Sequence, residues 1–231
     1  MLLRTGRRGA LVIALAVGAV VMLSPANGAA SDIATGFVRA VRHLAAPSRD
    51  GQAFAGTPAV GALFTASAGQ LGRHFCTASV VDSPAGDLLI TAAHCVTGTA
   101  GTIDFVPGYR QPGSSVPVED VTGAERLATG TPASRRLIQV IGYPNATDQP
   151  VTCQNWLRQP MAGQLEFDCG GYTNGTSGGP FLSEVDQATG QGLVIGVIGG
   201  YQQGGDTPQV SYSPVLGANA AALFKRAVAD G

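Results

Sequence analysis

Glycine and proline are so frequent in this chain that long helices cannot make up most of its fold. The 231 residues include 33 glycines and 14 prolines, and 45% of the residues are hydrophobic. Both residue types interrupt regular elements and favour turns, so the apolar residues must be divided among many short segments. The composition therefore predicts an all-β fold, with a sizeable core built from short strands.

The amino terminus has the three parts of a secretory signal peptide. Arg4, Arg7 and Arg8 form a basic region, an uncharged apolar run follows from Ala10 to Leu23, and Ser24-Pro25 ends it. A run of about fourteen residues is short for a membrane span, although an uncleaved anchor is the alternative. We predict a signal peptide over residues 1–30. The mature protein is then secreted, extracellular and free of the membrane.

Residues 31–57 mix polar and apolar side chains and differ from the strand-rich sequence that follows. Ile33, Phe37, Val41 and Leu44 recur at helical spacing and predict a short amphipathic helix. We interpret residues 31–57 as a leader or propeptide and residues 58–231 as one domain. The net charge of −1 provides no electrostatic basis for binding nucleic acid.

Two distant motifs carry side chains suited to nucleophilic catalysis. Ser177 lies in Gly175-Thr176-Ser177-Gly178-Gly179-Pro180, where the glycines allow a tight turn that exposes a hydroxyl. In such a turn the N–H groups of Gly175 and Ser177 can form an oxyanion hole. His94 lies in Thr91-Ala92-Ala93-His94-Cys95, a motif that directly follows an apolar segment. A serine hydroxyl needs a base to remove its proton, and histidine is the usual base near neutral pH.

The pair TAAHC…GTSGGP resembles the motifs of the chymotrypsin/trypsin-like serine endopeptidases, in particular secreted bacterial members. The resemblance covers about residues 58–216. It implies two antiparallel β-barrels of the six-stranded type, a C-terminal helix and a site between the barrels. Ser177 would be the nucleophile and His94 the general base, with a polypeptide substrate and no cofactor. His94 and Ser177 are only 83 residues apart, which indicates a truncated first barrel.

Four cysteines allow three pairings, and export makes disulfides permissible. The resemblance implies a bridge between Cys76 and Cys95 and, with it, one between Cys153 and Cys169. No spacing of cysteine or histidine residues indicates zinc, so we predict no metal site.

The third catalytic member of the family, an aspartate just before an apolar strand, has no counterpart between His94 and Ser177. Asp104 lies inside a predicted strand, and Asp148 lies in a predicted turn. Asp120 is the remaining candidate by spacing, although Thr122-Gly123 follows it. Loss of the orienting aspartate typically costs about 10⁴ in kcat, so the sequence also allows an impaired enzyme.

The resemblance also locates a specificity pocket beside the serine. Gly171 stands six residues before Ser177, where a trypsin-type pocket has an acidic residue, and Ile198 stands where glutamyl-specific relatives have a histidine. We therefore predict an apolar pocket that is neither Arg/Lys- nor Glu-specific. The candidate pocket residues are Tyr172, Gly199, Gly200 and Tyr201.

Three functions fit these motifs. The first is a secreted, monomeric serine endopeptidase that forms an acyl-enzyme. The second is a catalytically impaired peptidase-like protein that binds extended peptides or a partner in the same groove, which the missing aspartate favours. The third is an esterase, which would use the same nucleophile with a different leaving group.

Overall fold

The computed structural model describes residues 2–4, 47–67, 70–97, 102–110 and 123–230. The strands are β1 (Leu2–Arg4), β2 (Gln52–Ala53), β3 (Val60–Ser67), β4 (Gln70–Val81), β5 (Leu88–Ile90), β6 (Thr102–Pro107), β7 (Arg126–Leu127), β8 (Leu137–Gly142), β9 (Val151–Trp156), β10 (Gln164–Asp168), β11 (Pro180–Ser183), β12 (Leu193–Val197) and β13 (Val210–Pro214). Helix α1 spans Ala218–Ala229, as the periodicity near the C terminus predicts. The amphipathic helix predicted between Ile33 and Leu44, and also Asp120, lie outside the described residues.

The first sheet has the order β1-β5-β4-β3-β6, and all its neighbouring strands are antiparallel. Side chains alternate between its two faces, as they must in a pleated strand. Val60, Ala62 and Phe64 of β3 pack in one core cluster, whereas Leu63 packs in another with the Cys76 side chain. Because both faces are covered, β3 and β4 are buried along most of their length.

The second sheet has the order β2-β9-β8-β11-β12-β7, and the antiparallel pair β10–β13 packs beside it. Its core contains Leu165, Phe167 and Phe181, and the rings of the two phenylalanines lie 5.8 Å apart. Strand β11 begins at Pro180, so the serine motif lies in the turn that leads into a buried central strand.

The prediction of an all-β fold with a C-terminal helix is confirmed, although the two sheets of the described residues do not close into complete barrels. Within the described ranges the first sheet has five strands and ends at β1 and β6, and the second ends at β2 and β7. Closure requires edge strands to pair with each other. No such pairing joins the edges that the structure describes. The described part of the chain also contains no helix long and apolar enough to cross a membrane.

Residues 123–128 connect the two sheets. The N–H of Glu125 donates to Val80 O in the first sheet at 2.9 Å. The next N–H, that of Arg126, donates to Gly192 O at the start of β12 at 3.1 Å. Strand β7 then runs parallel to β12. This short segment therefore links β4 of the first sheet to β12 of the second.

Residues 48–57, the last part of the predicted leader, form an edge of the second sheet. The N–H of Ser48 donates to Gln154 O at 2.7 Å, and that of Gly51 donates to Gly170 O at 2.8 Å. Strand β2 pairs with β9, and Thr57 is buried. In its packing this segment is continuous with the sheet that carries the serine loop.

Candidate active site

The loop that carries Ser177 can be built only with glycine on both sides of the serine. Gly175 has φ +98° and Gly178 has φ +84°, which favour glycine. A Cβ atom on Gly175 would lie 2.6 Å from Tyr143 O, and one on Gly178 would lie 2.1 Å from Thr77 O. The motif read from the sequence is thus a steric requirement of the fold.

Hydrogen bonds to the preceding carbonyls fix the directions of the two predicted oxyanion donors. Asn174 O accepts from the N–H of Asn145 at 2.8 Å, and Thr176 O accepts from the N–H of Gly179 at 2.9 Å. In a trans peptide the N–H points opposite to the carbonyl of the same plane. The N–H groups of Gly175 and Ser177 therefore point away from these internal partners. Within the part of the chain that the structure describes, neither N–H group has an acceptor.

His94 lies in a one-turn 3-10 helix, Ala93–Cys95, that follows β5. The predicted bridge joins Cys76 to Cys95, and the predicted bridge between Cys153 and Cys169 is also present. A ring nitrogen of His94 and the Cys76 and Cys95 sulfurs lie within 4.8 Å of one another. Because both sulfurs are in a disulfide, neither offers the thiolate that binds a metal.

Partial burial of the His94 ring affects its protonation. Burial lowers the pKa of His94 below its ordinary value of 6.5, because desolvation disfavours the imidazolium. A Cβ atom on Gly199 would lie 3.7 Å from His94 Cε1, so this glycine packs closely against the ring. The imidazole is therefore neutral at physiological pH, as a general base must be.

His94 and Ser177 line the same cavity, which has a volume of about 490 Å³. The other lining residues are Tyr172, Thr173, Asn174, Thr176, Ile198, Gln202, Gln203, Gly204, Gly205, Asp206, Thr207 and Pro208. Most of these side chains are polar, so this cavity differs from the apolar pocket that the resemblance implies. Asp206 is the acidic group of this lining, and it comes from a segment that the sequence analysis did not consider.

Of the four predicted pocket residues, only Tyr172 lines this cavity. Its hydroxyl donates to Val140 O at 2.7 Å, so the ring is a fixed wall. The N–H groups of Gly199 and Gly200 both donate to Tyr212 O, and neither glycine lines this cavity. The Tyr201 ring packs edge-on against the Tyr212 ring at 5.5 Å and is half exposed. Gly199 instead lines a separate, apolar cavity of about 160 Å³.

No carboxylate contacts His94 among the residues that the structure describes. Burial is the one cause of its pKa change, and no nearby charge contributes. Asp104 lies in β6 opposite Phe64, and Asp148 accepts a hydrogen bond from the Tyr109 hydroxyl at 2.8 Å. Neither aspartate therefore orients the His94 ring.

A buried acid that no sequence pattern indicates lies where the two sheets meet. Glu125 is fully buried between the two sheets, and its Oε2 accepts from the N–H of Gly192 at 2.6 Å. Its Oε1 is buried without a partner among the described residues. Burial raises the pKa of Glu125 to about 7, and the hydrogen bond from Gly192 opposes this rise. A charged residue close to a glycine, as Glu125 is to Gly123, looks exposed in the sequence, so only the pairing of the chain reveals its position.

Comparison with known proteins supports the fold. The chain is similar to the protease Anisep from Arthrobacter nicotinovorans, with a TM-score of 0.61 and 17% identity over 78% of this chain and 99% of that one. It is also similar to the thermostable serine protease AL20 from an extremophilic microorganism, with a TM-score of 0.59 and 20% identity over 76% of this chain and 99% of that one.

A third similar structure is a Glu endopeptidase in complex with MPD, with a TM-score of 0.51 and 14% identity over 79% of this chain and 99% of that one. No protein-family model matches the sequence, and no curated protein matches it. At these identities the comparisons show the fold alone, which is the chymotrypsin-like β-barrel fold that the motifs imply.

Proposed function

We propose that this protein is a secreted serine endopeptidase. The observation that carries the proposal is that His94 and Ser177 line one cavity, while the N–H groups of Gly175 and Ser177 are turned away from internal partners. A base, a nucleophile and two N–H donors at one cavity are the groups that acyl transfer requires. The fold similarity to serine proteases supports the same chemistry.

In the proposed mechanism the Ser177 hydroxyl attacks the carbonyl carbon of a peptide bond while His94 takes its proton. The two N–H groups stabilise the negative charge that develops on the carbonyl oxygen. His94 then gives the proton to the leaving amine, and water hydrolyses the acyl-enzyme by the same proton transfers in reverse. This chain's own residues supply every group in these steps.

The cavity suggests which substrate side chains are accepted. Asp206 lines it, whereas no lysine or arginine of the described residues does. We therefore propose that neutral polar and cationic side chains are accepted and that anionic ones are disfavoured. The activity in the name of the Glu endopeptidase accordingly does not extend to this chain.

The rival function is peptide binding by a catalytically impaired relative. It is favoured by the absence, among the described residues, of a carboxylate next to His94. Without that orienting group, kcat falls by about 10⁴ relative to a complete triad, but nucleophile, base and oxyanion donors still act. We therefore expect slow hydrolysis. Asp120 remains the candidate for the aspartate that would complete the catalytic triad with Ser177 and His94.

Hydrolysis of a fluorogenic peptide library by the purified protein tests the proposal. We expect turnover by the wild type and its loss in Ser177→Ala and in His94→Ala. The matched control is Ser183→Ala, because Ser183 is a buried serine in β11 rather than in the turn before it. Tight binding of the same peptides without any turnover would instead favour the peptide-binding function.

A further inference from the structure

Thr77 makes hydrogen bonds to each segment of the proposed catalytic machinery. It lies in β4 and is fully buried. Its N–H donates to Ser177 O at 2.7 Å, and its carbonyl oxygen accepts from Thr91 Oγ1 at 2.7 Å, three residues before His94. Its backbone thus joins the serine loop to the histidine segment.

The Thr77 hydroxyl adds two hydrogen bonds that its backbone cannot make. Thr77 Oγ1 donates to Gly175 O at 3.0 Å and accepts from the N–H of Tyr143 at 2.9 Å. A hydroxyl has one donor and two acceptor sites, so it can make both bonds at once. Both partners lie in a buried region, where an unpaired polar group is costly.

These two bonds affect the direction of an oxyanion donor. The segment from Tyr143 to Asn145 packs directly against Gly175, where a Cβ atom would lie within 2.6 Å of Tyr143 O. The same segment supplies the Asn145 N–H that fixes the Asn174 carbonyl and, with it, the N–H of Gly175. The Thr77 hydroxyl therefore joins the two segments whose mutual position sets this donor.

We propose that Thr77 is a positioning residue for the oxyanion hole and that it acts through its hydroxyl. This inference rests on the proposed function. It holds the peptide planes on both sides of Gly175, so that the Gly175 N–H is aimed before the substrate arrives. Such preorganised donors stabilise the transition state more than the ground state. Loss of the hydroxyl should thus lower kcat and leave KM nearly unchanged.

The test compares Thr77→Val with Thr77→Ser. Valine has nearly the shape of threonine and lacks the hydroxyl, whereas serine keeps the hydroxyl and loses a methyl group. We expect kcat of Thr77→Val to fall at least about tenfold, somewhat less than the 10²–10³ that follows removal of a donor itself. KM should stay within about twofold of the wild-type value, and Thr77→Ser should keep most of the activity.

A tetrahedral-adduct inhibitor separates positioning from general loss of structure. A peptide trifluoromethyl ketone forms an adduct with Ser177 whose oxygen occupies the oxyanion hole. Its affinity for Thr77→Val should fall in parallel with kcat, while a non-covalent product peptide binds as it does to the wild type. Equal kcat in folded Thr77→Val and wild type would overturn the inference, and so would equal losses in the valine and serine variants.

The positioning role of Thr77 can also be tested if the protein proves to have no peptidase activity. If the wild type hydrolyses no peptide and forms no adduct, the proposed function fails. Amide hydrogen exchange then still tests the positioning. In Thr77→Val the Asn145 amide should exchange faster than in wild type and in Thr77→Ser. The Leu157 amide, which donates to Arg136 O at 2.8 Å and has no bond to Thr77, should stay unchanged. Identical Asn145 exchange in all three proteins would overturn the positioning role.

Discussion

Replacing Glu125 with glutamine should remove a pH dependence from the stability of the protein. The Glu125 carboxyl is fully buried between the two sheets, and burial raises its pKa from 4.5 to about 7. A carboxylate that must lose its hydration penalises the folded state once it ionises. Glutamine keeps an oxygen that can accept from the N–H of Gly192 and carries no charge at any pH.

The sign and size of the effect follow from the two pKa values. Below pH 4.5 the carboxyl is protonated in both the folded and the unfolded chain, so ionisation costs nothing. As the pH rises from 4.5 to about 7, the unfolded chain releases this proton first, and the free energy of unfolding falls. The full loss amounts to about 3 kcal/mol above the folded pKa.

The amide of the variant has a cost of its own that does not depend on pH. Glu125 Oε1 is buried without a partner among the described residues, and an amide NH₂ in its position would lack an acceptor. That constant cost is about 1–3 kcal/mol. The diagnostic quantity is thus the change with pH of the difference in unfolding free energy between variant and wild type. It should shift by about 3 kcal/mol in favour of Glu125→Gln between pH 4.5 and 8.

Urea unfolding at a series of pH values measures this difference, with both proteins carrying Ser177→Ala to prevent self-digestion. Glu184→Gln is the matched control, because Glu184 is an exposed acid that pairs with Arg136 at 3.0 Å. Its difference from wild type should change little over the same pH range. Parallel pH profiles of wild type and Glu125→Gln would refute the reasoning.

Four further results are expected. The acid limb of kcat/KM should have its midpoint below pH 6.5, because burial lowers the pKa of His94 and the base acts only when neutral. Asp206→Asn should lower kcat/KM for substrates with lysine in the cavity by about two- to fivefold, with little effect on glutamine substrates, as assayed with matched peptides. Gly175→Ala should abolish turnover, because the new Cβ atom would meet Tyr143 O at 2.6 Å. Deleting residues 48–57 should lower the melting temperature, because these residues form the β2 edge of the second sheet.

Each of these expectations has a result that contradicts it. A midpoint above pH 6.5 would mean that a carboxylate stabilises the His94 imidazolium, and Asp120→Asn would then show whether Asp120 supplies it. Equal losses for lysine and glutamine substrates would remove Asp206 from the recognition of charge. Wild-type turnover by Gly175→Ala would mean that the turn can adopt another shape. An unchanged melting temperature after the deletion would make residues 48–57 dispensable.

The chain's local patterns could predict the fold class and the two motifs. Apolar runs such as Leu88–Ile90 form strands. A short apolar segment bounded by turn residues is too short for a helix and therefore favours a strand. Glycines near Ser177 indicated a tight turn, and the structure explains them through contacts that leave no room for a Cβ atom. Such requirements act over a few residues and are therefore visible in the sequence.

Long-range contacts explain what the sequence could not predict. Thr77 looks like any β-branched residue in a strand, and its role depends on Tyr143 and Gly175, 66 and 98 residues away. Asp206 lines the cavity because the chain after Gly200 turns back toward Ser177, which no local pattern indicates. Glu125 is buried because its backbone bonds to Val80 and Asp82 beside the first sheet while its side chain bonds to Gly192 beside the second.

The central claim is that Ser177 is a nucleophile activated by His94, and covalent labelling tests it most directly. The folded protein is treated with a fluorophosphonate, digested and examined by mass spectrometry for the modified peptide. We expect one adduct, on Ser177, with no labelling in Ser177→Ala and much slower labelling in His94→Ala. A folded protein that stays unlabelled at Ser177, or that labels equally fast without His94, would contradict the claim.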